Sequence, residues 1–145
     1  MIPAYRPKGQ DSGRAKAGLA QLSVKTANVK KTRIVTQSWR VQAQVLDFPT
    51  TKLLWINTYL PTDPLTIDFD ESELLGVLSE IDFILDKTLF GDVFWNGDLT
   101  WDMSRRSGFS LIMKDFVEKL GLVSLWCHHP IDYTHVHTDH FLCNP

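Results

Sequence analysis

Hydrophobic and polar positions alternate along residues 32–48, which read TRIVTQSWRVQAQVLDF. The apolar positions of one parity are Trp39, Val41, Ala43 and Val45, and the polar positions of the other are Arg40, Gln42 and Gln44. Alternation with a period of two, among β-branched and aromatic residues, predicts a half-buried strand from Ile34 onward. The turn DFPTT ends this strand, because Pro49 cannot donate to a ladder of hydrogen bonds.

Further strands are predicted on both sides of this run. The segment KLLWINTYL, residues 52–60, is apolar on both faces, which predicts a central strand joined to the first as an antiparallel hairpin. Shorter strands are predicted for GLAQLSV, residues 18–24, and for residues 92–96 at the start of the stretch VFWNGDLTWD. The C-terminal residues 123–145 predict two short extended pieces with Pro130 between them.

Two amphipathic helices are predicted between these strands. Asp70 and Glu73 have the spacing of a capping box at the start of the first helix. Its apolar side repeats at helical spacing through Leu74, Leu75, Leu78, Ile81, Ile84 and Leu85. The second helix is predicted from about Ser107 to Leu120, and Gly121 suits the left-handed position that ends a helix. Strands, helix, strand, helix and strands in this order predict an α/β or α+β layered domain.

The length of 145 residues suits one domain with a real core, and 43% of the residues are hydrophobic. No apolar run approaches the roughly 18 residues that span a membrane, and the start MIPAYRPKGQ lacks the apolar core of a secretory signal. With two cysteines and no disulfide framework, an intracellular protein is expected, nuclear or cytoplasmic and without a membrane partner.

The charge is unevenly distributed along the chain. Residues 1–45 carry nine Lys or Arg against one acid, whereas residues 46–145 carry six basic residues against sixteen acids. The basic third is suited to an anionic partner such as nucleic acid, through contacts with phosphates. Residues 1–17 are rich in Gly, Lys, Arg and Gln, and we expect them to be a disordered basic leader that precedes a domain at residues 18–145.

Polar groups with suitable chemistry stand at the ends of the predicted strands. They are Asn57 and Tyr59, Asp98 just past the buried strand, Thr134, and Asp139 with His140. Taken singly, each has an ordinary structural explanation, such as a turn for Asp98 or a core aromatic for Tyr59. Taken together they provide what phosphodiester hydrolysis requires, namely a carboxylate to orient and deprotonate water and hydroxyls to hold phosphate oxygens.

The segments WINTYLPTDP, VFWNGDLTWD, SRRSGF and DYTHVHTD, in this order, resemble the endonuclease/exonuclease/phosphatase family. They are most similar to the apurinic-type endonuclease domain of LINE-class (non-LTR) retrotransposons, and the resemblance runs from about Arg14 to the C-terminus. It implies a pair of packed mixed sheets flanked by helices, and a Mg²⁺-dependent activity that nicks DNA.

The resemblance also implies roles for individual residues. Tyr59 matches the active-site tyrosine of the Tyr-x-Pro motif, and Asp98 matches the water-activating base of the Gly-Asp-x-Asn motif. Thr134 matches a phosphate-contacting threonine, and Asp139 matches the aspartate that supports the catalytic histidine. We therefore predict Asp98, Tyr59 and Asp139 as catalytic, Asp98 as the metal ligand, and Thr134, Asn57 and Thr100 as residues that bind phosphate or substrate.

Other positions depart from the family pattern. Thr100 stands where the family has an asparagine, and a hydroxyl cannot reproduce the paired donor and acceptor of an amide. Nothing before Arg14 resembles the family's metal-site Asn and Glu, and no terminal Ser-Asp-His motif is present. We therefore expect a partial two-sheet domain, truncated at both ends, that binds Mg²⁺ weakly and has weak or no nuclease activity alone.

Three alternatives remain open at this stage. The chain could be a non-catalytic remnant that holds nucleic acid through its basic third. It could bind zinc, since Cys127, Cys143 and five histidines crowd into seventeen positions, although their spacing matches no standard Cys/His module. It could also be a product without a selected role, in which uncovered sheet edges lead to aggregation or require a partner.

Overall fold

The computed structural model describes residues 19, 21, 29–63, 70–99, 101, 106–124 and 139–144, with the backbone alone at residues 139–141. The elements are β1 (Lys30–Ile34), β2 (Val41–Asp47), β3 (Lys52–Tyr59), α1 (Ser72–Lys87), β4 (Asp92–Asp98), α2 (Gly108–Lys119), β5 (Val123–Ser124) and β6 (Asp139–Cys143). The predicted leader at residues 1–17 and most of the predicted strand at residues 18–24 lie outside the described residues.

The strands form one six-stranded mixed sheet in the order β1-β2-β3-β4-β6-β5. Neighbouring strands are antiparallel except β3 and β4, which run parallel and are connected through α1. The predicted α/β class is therefore confirmed, and so are the β2–β3 hairpin and the central place of β3. Of the two sheets that the sequence predicted, the described residues contribute one.

Both helices pack on the same face of this sheet. Their apolar residues join one core with alternate residues of the central strands, and Trp95 of β4 meets the ring of Phe116 edge-on at 6.0 Å. The buried strand residues of this core are Val41, Ala43, Leu54, Ile56, Val93, Trp95 and Leu142. The face of the sheet that packs against the helices will be called the helix face. The opposite face will be called the polar face, because Gln42, Gln44 and Asn57 lie on that side.

The sequence predicted one strand from Ile34 onward, but the structure divides this run between β1 and β2. The run breaks at residues 35–40 and folds back, so that β1 pairs with β2 as an antiparallel hairpin, Ile34 opposite Ala43. Glu80 of α1 fixes the turn, since its carboxylate accepts hydrogen bonds from the backbone N–H groups of Gln37 and Ser38. The prediction that β2 is only half buried is also wrong, because Gln42 and Gln44 are as buried as their apolar neighbours.

Helix α1 starts without the predicted capping box. Its N-cap is Glu71, which makes no side-chain cap, while Asp70 accepts a hydrogen bond from Ser72 N. Hydrogen bonds from the side chain and the backbone of Ser72 lower the pKa of the Asp70 carboxyl below its ordinary value. Glu73, in the first turn of the helix, pairs with Arg40. Helix α2 agrees with its prediction, capped by Ser107 and followed by Gly121 at φ 64°.

Neither described helix combines the length and the apolar character that crossing a membrane requires.

Candidate functional site

Three of the predicted site residues occupy one row across the sheet. Tyr59 pairs with Asp98 at the carboxyl ends of the parallel strands β3 and β4, and Asp98 pairs in turn with Asp139 at the start of β6. Directly paired residues of neighbouring strands lie about 5 Å apart. The backbone therefore brings residues from positions 59, 98 and 139 together at one end of the sheet.

The remaining predicted residues are placed less completely. Asn57 lies two residues before Tyr59, hence on the same polar face of β3, and only 8% of it is exposed. Thr100 and Thr134 lie outside the described residues, as do most members of the suggested zinc cluster. His140 is described through its backbone, which pairs with Gly97.

Gly97 is what allows β4 to reach this row. The Asn-Gly-Asp segment suggested a turn after residue 96, but the strand continues through Gly97 to Asp98. Gly97 has φ 138°, and a Cβ built there would lie 1.9 Å from the carbonyl oxygen of Thr58 on β3. Only glycine fits so close to a neighbouring backbone, so the second residue of this motif serves strand pairing rather than a turn.

Two indole hydrogen bonds fasten β3 to β4 beside the row. On the helix face, Trp95 Nε1 donates to Thr58 Oγ1 at 2.8 Å. On the polar face, Trp55 Nε1 donates to Asn96 Oδ1 at 2.6 Å. Beyond the strand, Leu60 N donates to the Asp98 carbonyl at 2.9 Å, which extends the pairing past Tyr59. The positions of Tyr59 and Asp98 are thus fixed from both sides of the sheet.

Arg40, which the sequence analysis did not identify as a site residue, contacts both the backbone and the ring of Tyr59. Its Nη1 donates to the Tyr59 carbonyl at 3.1 Å, and its own carbonyl accepts from Tyr59 N at 3.0 Å. The guanidinium carbon lies 5.4 Å from the Tyr59 ring centroid and 4.4 Å from that of Trp39. In the sequence, Arg40 is an arginine at a polar position of the alternating strand pattern. That pattern predicted an exposed side chain and gave no sign of contacts with Tyr59.

Asp63 and Ser107 connect the loop after β3 with the start of α2. Ser107 Oγ donates to Asp63 Oδ2 at 2.7 Å and accepts from Ser110 N at 3.1 Å. Asp63 is 7% exposed, and a carboxylate is favoured near the positive end of a helix dipole. Sequence reasoning missed this contact, because the two residues are 44 positions apart.

The donor chemistry of the row suits Mg²⁺, which prefers oxygen ligands and is commonly bound by one or two carboxylates together with phosphate oxygens. Asp98 is the member of the row that could offer a carboxylate to such an ion, and the backbone of Asp139 pairs with it. Among the residues that the structure describes, no group of three or more Asp, Glu, His or Cys side chains converges as a metal site. The described part of the site therefore offers few protein ligands.

The sheet with its β3–α1–β4 crossover and its two helices on one face agrees with the α/β fold class that the sequence predicted. The structure is similar to that of the endonuclease domain of TRAS1, a telomere-specific non-LTR retrotransposon, with a TM-score of 0.61 and 10% sequence identity. The match covers 83% of this chain and 56% of that one, so the chain spans about half the length of that domain. At this identity the likeness establishes the fold.

Weaker similarity extends to two proteins described as members of the endonuclease/exonuclease/phosphatase family. The protein from Leptotrichia buccalis C-1013-b has a TM-score of 0.49 and 12% identity, over 82% of this chain and 50% of that one. The protein from Bacteroides thetaiotaomicron has a TM-score of 0.43 and 14% identity, over 72% and 39%. These two matches add nothing to the fold assignment. No protein-family model matches the sequence, and no curated protein is similar to it.

Proposed function

We propose that this chain carries part of a Mg²⁺-dependent phosphodiester-hydrolysing site that acts on DNA, of the retrotransposon endonuclease type. The observation that supports it is the row formed by Tyr59, Asp98 and Asp139, in register on three adjacent strands of this fold. A tyrosine hydroxyl next to a carboxylate at the ends of parallel strands is suited to a phosphate and the water that attacks it.

In this proposal Asp98 orients the attacking water and accepts its proton, and it also supplies a ligand to the metal. Bound Mg²⁺ would stabilise the negative charge that develops on the phosphate oxygens. The Tyr59 hydroxyl donates to a phosphate oxygen, and Thr134 binds phosphate as the family motif implies. Thr100, which stands where the family has an asparagine, is a further residue that binds phosphate or substrate in this proposal. Asn57, which lies two residues before Tyr59 on the polar face of β3, is a further residue that binds phosphate or substrate in this proposal. Asp139 matches the aspartate that supports the catalytic histidine in the family, and the motif that carries this histidine is not present in the 145-residue sequence.

We further propose that the 145-residue chain alone hydrolyses DNA weakly or not at all. Mg²⁺ keeps its waters unless several anionic ligands converge, and the described residues include no such group. Removing cooperating catalytic groups removes nearly all of the rate. Metal-dependent DNA binding is therefore a more sensitive measure of the site than cleavage.

The test compares the wild-type chain with Asp98→Asn on a short DNA duplex. In EDTA the variant should bind more tightly, because the Asp98 carboxylate repels the phosphates. In millimolar Mg²⁺ the order should reverse, because the carboxylate then holds the ion that attracts them. Asp82→Asn is the matched control, since Asp82 is an acid on α1 in an exposed ion pair with Lys119.

Equal Mg²⁺ dependence in wild type and Asp98→Asn would refute the metal site. Plasmid nicking measured on the same samples should stay near background. Strong nicking that disappears in Asp98→Asn would retain the site but contradict the proposal of weak activity.

A second candidate function, metal-independent nucleic-acid binding, is favoured by β1. Lys31 and Arg33 are exposed on it, and Arg33 pairs with Gln44, which places it on the polar face that Tyr59 shares. Removal of one cation that binds a phosphate should reduce the slope of log affinity against log salt by about 1. This function is supported if Lys31→Gln and Arg33→Gln lower the slope while Asp98→Asn leaves binding unchanged, and it is refuted if both variants keep the wild-type slope.

A further inference from the structure

Arg40 is a buried cation whose charge and donors are committed within the protein. Only 8% of it is exposed. Its Nε donates to Glu73 Oε1 at 2.8 Å, and its Nη2 lies 2.8 Å from the same carboxylate oxygen. Its Nη1 is used by the Tyr59 carbonyl. Because the guanidinium is neutralised by Glu73 and enclosed by protein groups, it is poorly placed to bind a substrate phosphate directly.

Arg40 contacts both the backbone and the ring of Tyr59, through its main-chain carbonyl and its guanidinium. The Tyr59 N–H and carbonyl each bond to Arg40, at 3.0 and 3.1 Å. The Tyr59 ring lies beside the guanidinium and 6.2 Å from the ring of Trp39, tilted by 35°. Tyr59 is the last residue of β3, where a strand end would otherwise fray, so these contacts reduce the freedom of its hydroxyl.

We propose that Arg40 is a positioning residue for Tyr59, and that Glu73 on helix α1 holds Arg40 in that role. The inference rests on the proposed function for the part that Tyr59 plays with phosphate. A flat guanidinium can bond in its plane to Glu73 and to the Tyr59 carbonyl while aromatic rings cover its faces. A lysine ammonium offers neither the fork nor the flat faces, so Arg40→Lys keeps the charge and loses the positioning.

The first measurement follows Tyr59 without any DNA. The chain contains three tyrosines, so 3-fluorotyrosine labelling gives three fluorine signals, and Tyr59→Phe identifies the one from Tyr59. In Arg40→Lys and in Glu73→Gln this signal should move towards the position found in urea or split into several. Glu73→Gln guards against misfolding, because the Glu73 side chain is 57% exposed and the exchange preserves its size. Glu118→Gln, which disrupts an exposed pair with Lys114 on α2, should leave the signal unchanged.

The second measurement is a double-mutant cycle on the affinity for a DNA duplex. Tyr59→Phe removes a hydrogen bond to a charged group and should weaken binding by roughly tenfold. Arg40→Lys should weaken it by a similar factor, and the double variant should bind no worse than Tyr59→Phe, because both changes remove the same interaction. Losses that multiply would show that Arg40 acts independently of Tyr59.

The two measurements separate the inference from the proposed function. An unchanged Tyr59 fluorine signal in both Arg40→Lys and Glu73→Gln overturns the positioning role, whatever the DNA affinities are. Wild-type DNA affinity in Tyr59→Phe overturns the phosphate role of Tyr59 and, with it, the functional half of the inference. A displaced signal together with non-additive affinities supports both.

Discussion

Replacement of Gly97 by alanine should be among the most damaging small substitutions in this protein. The new Cβ would stand 1.9 Å from the Thr58 carbonyl oxygen, and φ 138° is unfavourable for any residue with a side chain. The backbone strain costs about 1–3 kcal/mol, and relief of the overlap costs about 1–3 kcal/mol more. We therefore expect Gly97→Ala to lower the free energy of unfolding by about 2–6 kcal/mol, out of a typical total of about 5–15 kcal/mol.

Urea denaturation of three alanine variants measures this and separates its causes. Gly76 lies in α1 with open space around it, so Gly76→Ala should stabilise by about 1 kcal/mol through helix propensity. Gly121 has φ 64° but also open space, so Gly121→Ala should cost about 1–2 kcal/mol from backbone strain alone. With a slope of about 1–3 kcal/mol per molar urea, the order of the three midpoints is readily resolved. A cost for Gly97→Ala no larger than that for Gly121→Ala would refute the close approach of β4 to β3.

Two further substitutions test the contacts that hold the site. Thr58→Val leaves the buried indole N–H of Trp95 without its acceptor, which should cost about 1–3 kcal/mol in urea unfolding, whereas Thr32→Val on exposed β1 should change stability by less than about 0.5 kcal/mol. Ser107→Ala removes the cap of α2 and should cost about 1–2 kcal/mol, whereas Ser79→Ala, exposed in α1, should be neutral or slightly stabilising; equal effects would contradict the capping role.

The sequence predicted those features that depend on neighbouring residues. Helix α2 was expected from about Ser107 to Leu120 and runs Gly108–Lys119, because its apolar spacing, its cap and its terminal glycine are all local signals. Strand β3 was expected to be central, and it is, because residues 52–60 are apolar on both faces. These patterns also carried the motif resemblance, and the α/β fold class it implied is confirmed, with one of the two implied sheets among the described residues.

What the sequence could not predict depends on residues far apart in the chain. The break at residues 35–40 is stabilised by Glu80, which is more than 40 positions away. Gly97 looked like a turn residue because nothing local reveals the nearby Thr58 carbonyl. In the candidate site, the motif suggested Tyr59, Asp98 and Asp139, and their register now places them in one row. Their catalytic roles stay predictions. The contacts of Arg40 with Tyr59 and Glu73 became apparent only in the structure.

Strand β1 is one of the two edge strands of the described sheet, and it carries Lys30, Lys31 and Arg33, all exposed. An edge strand has unpaired backbone groups, with which the edge strand of a second copy of the chain can pair to extend the sheet. Two such edges approaching each other would bring cations face to face, and in dilute buffer that repulsion reaches across tens of ångströms. The same side chains that suit this edge to a polyanion thus also keep crowded molecules from polymerising along it.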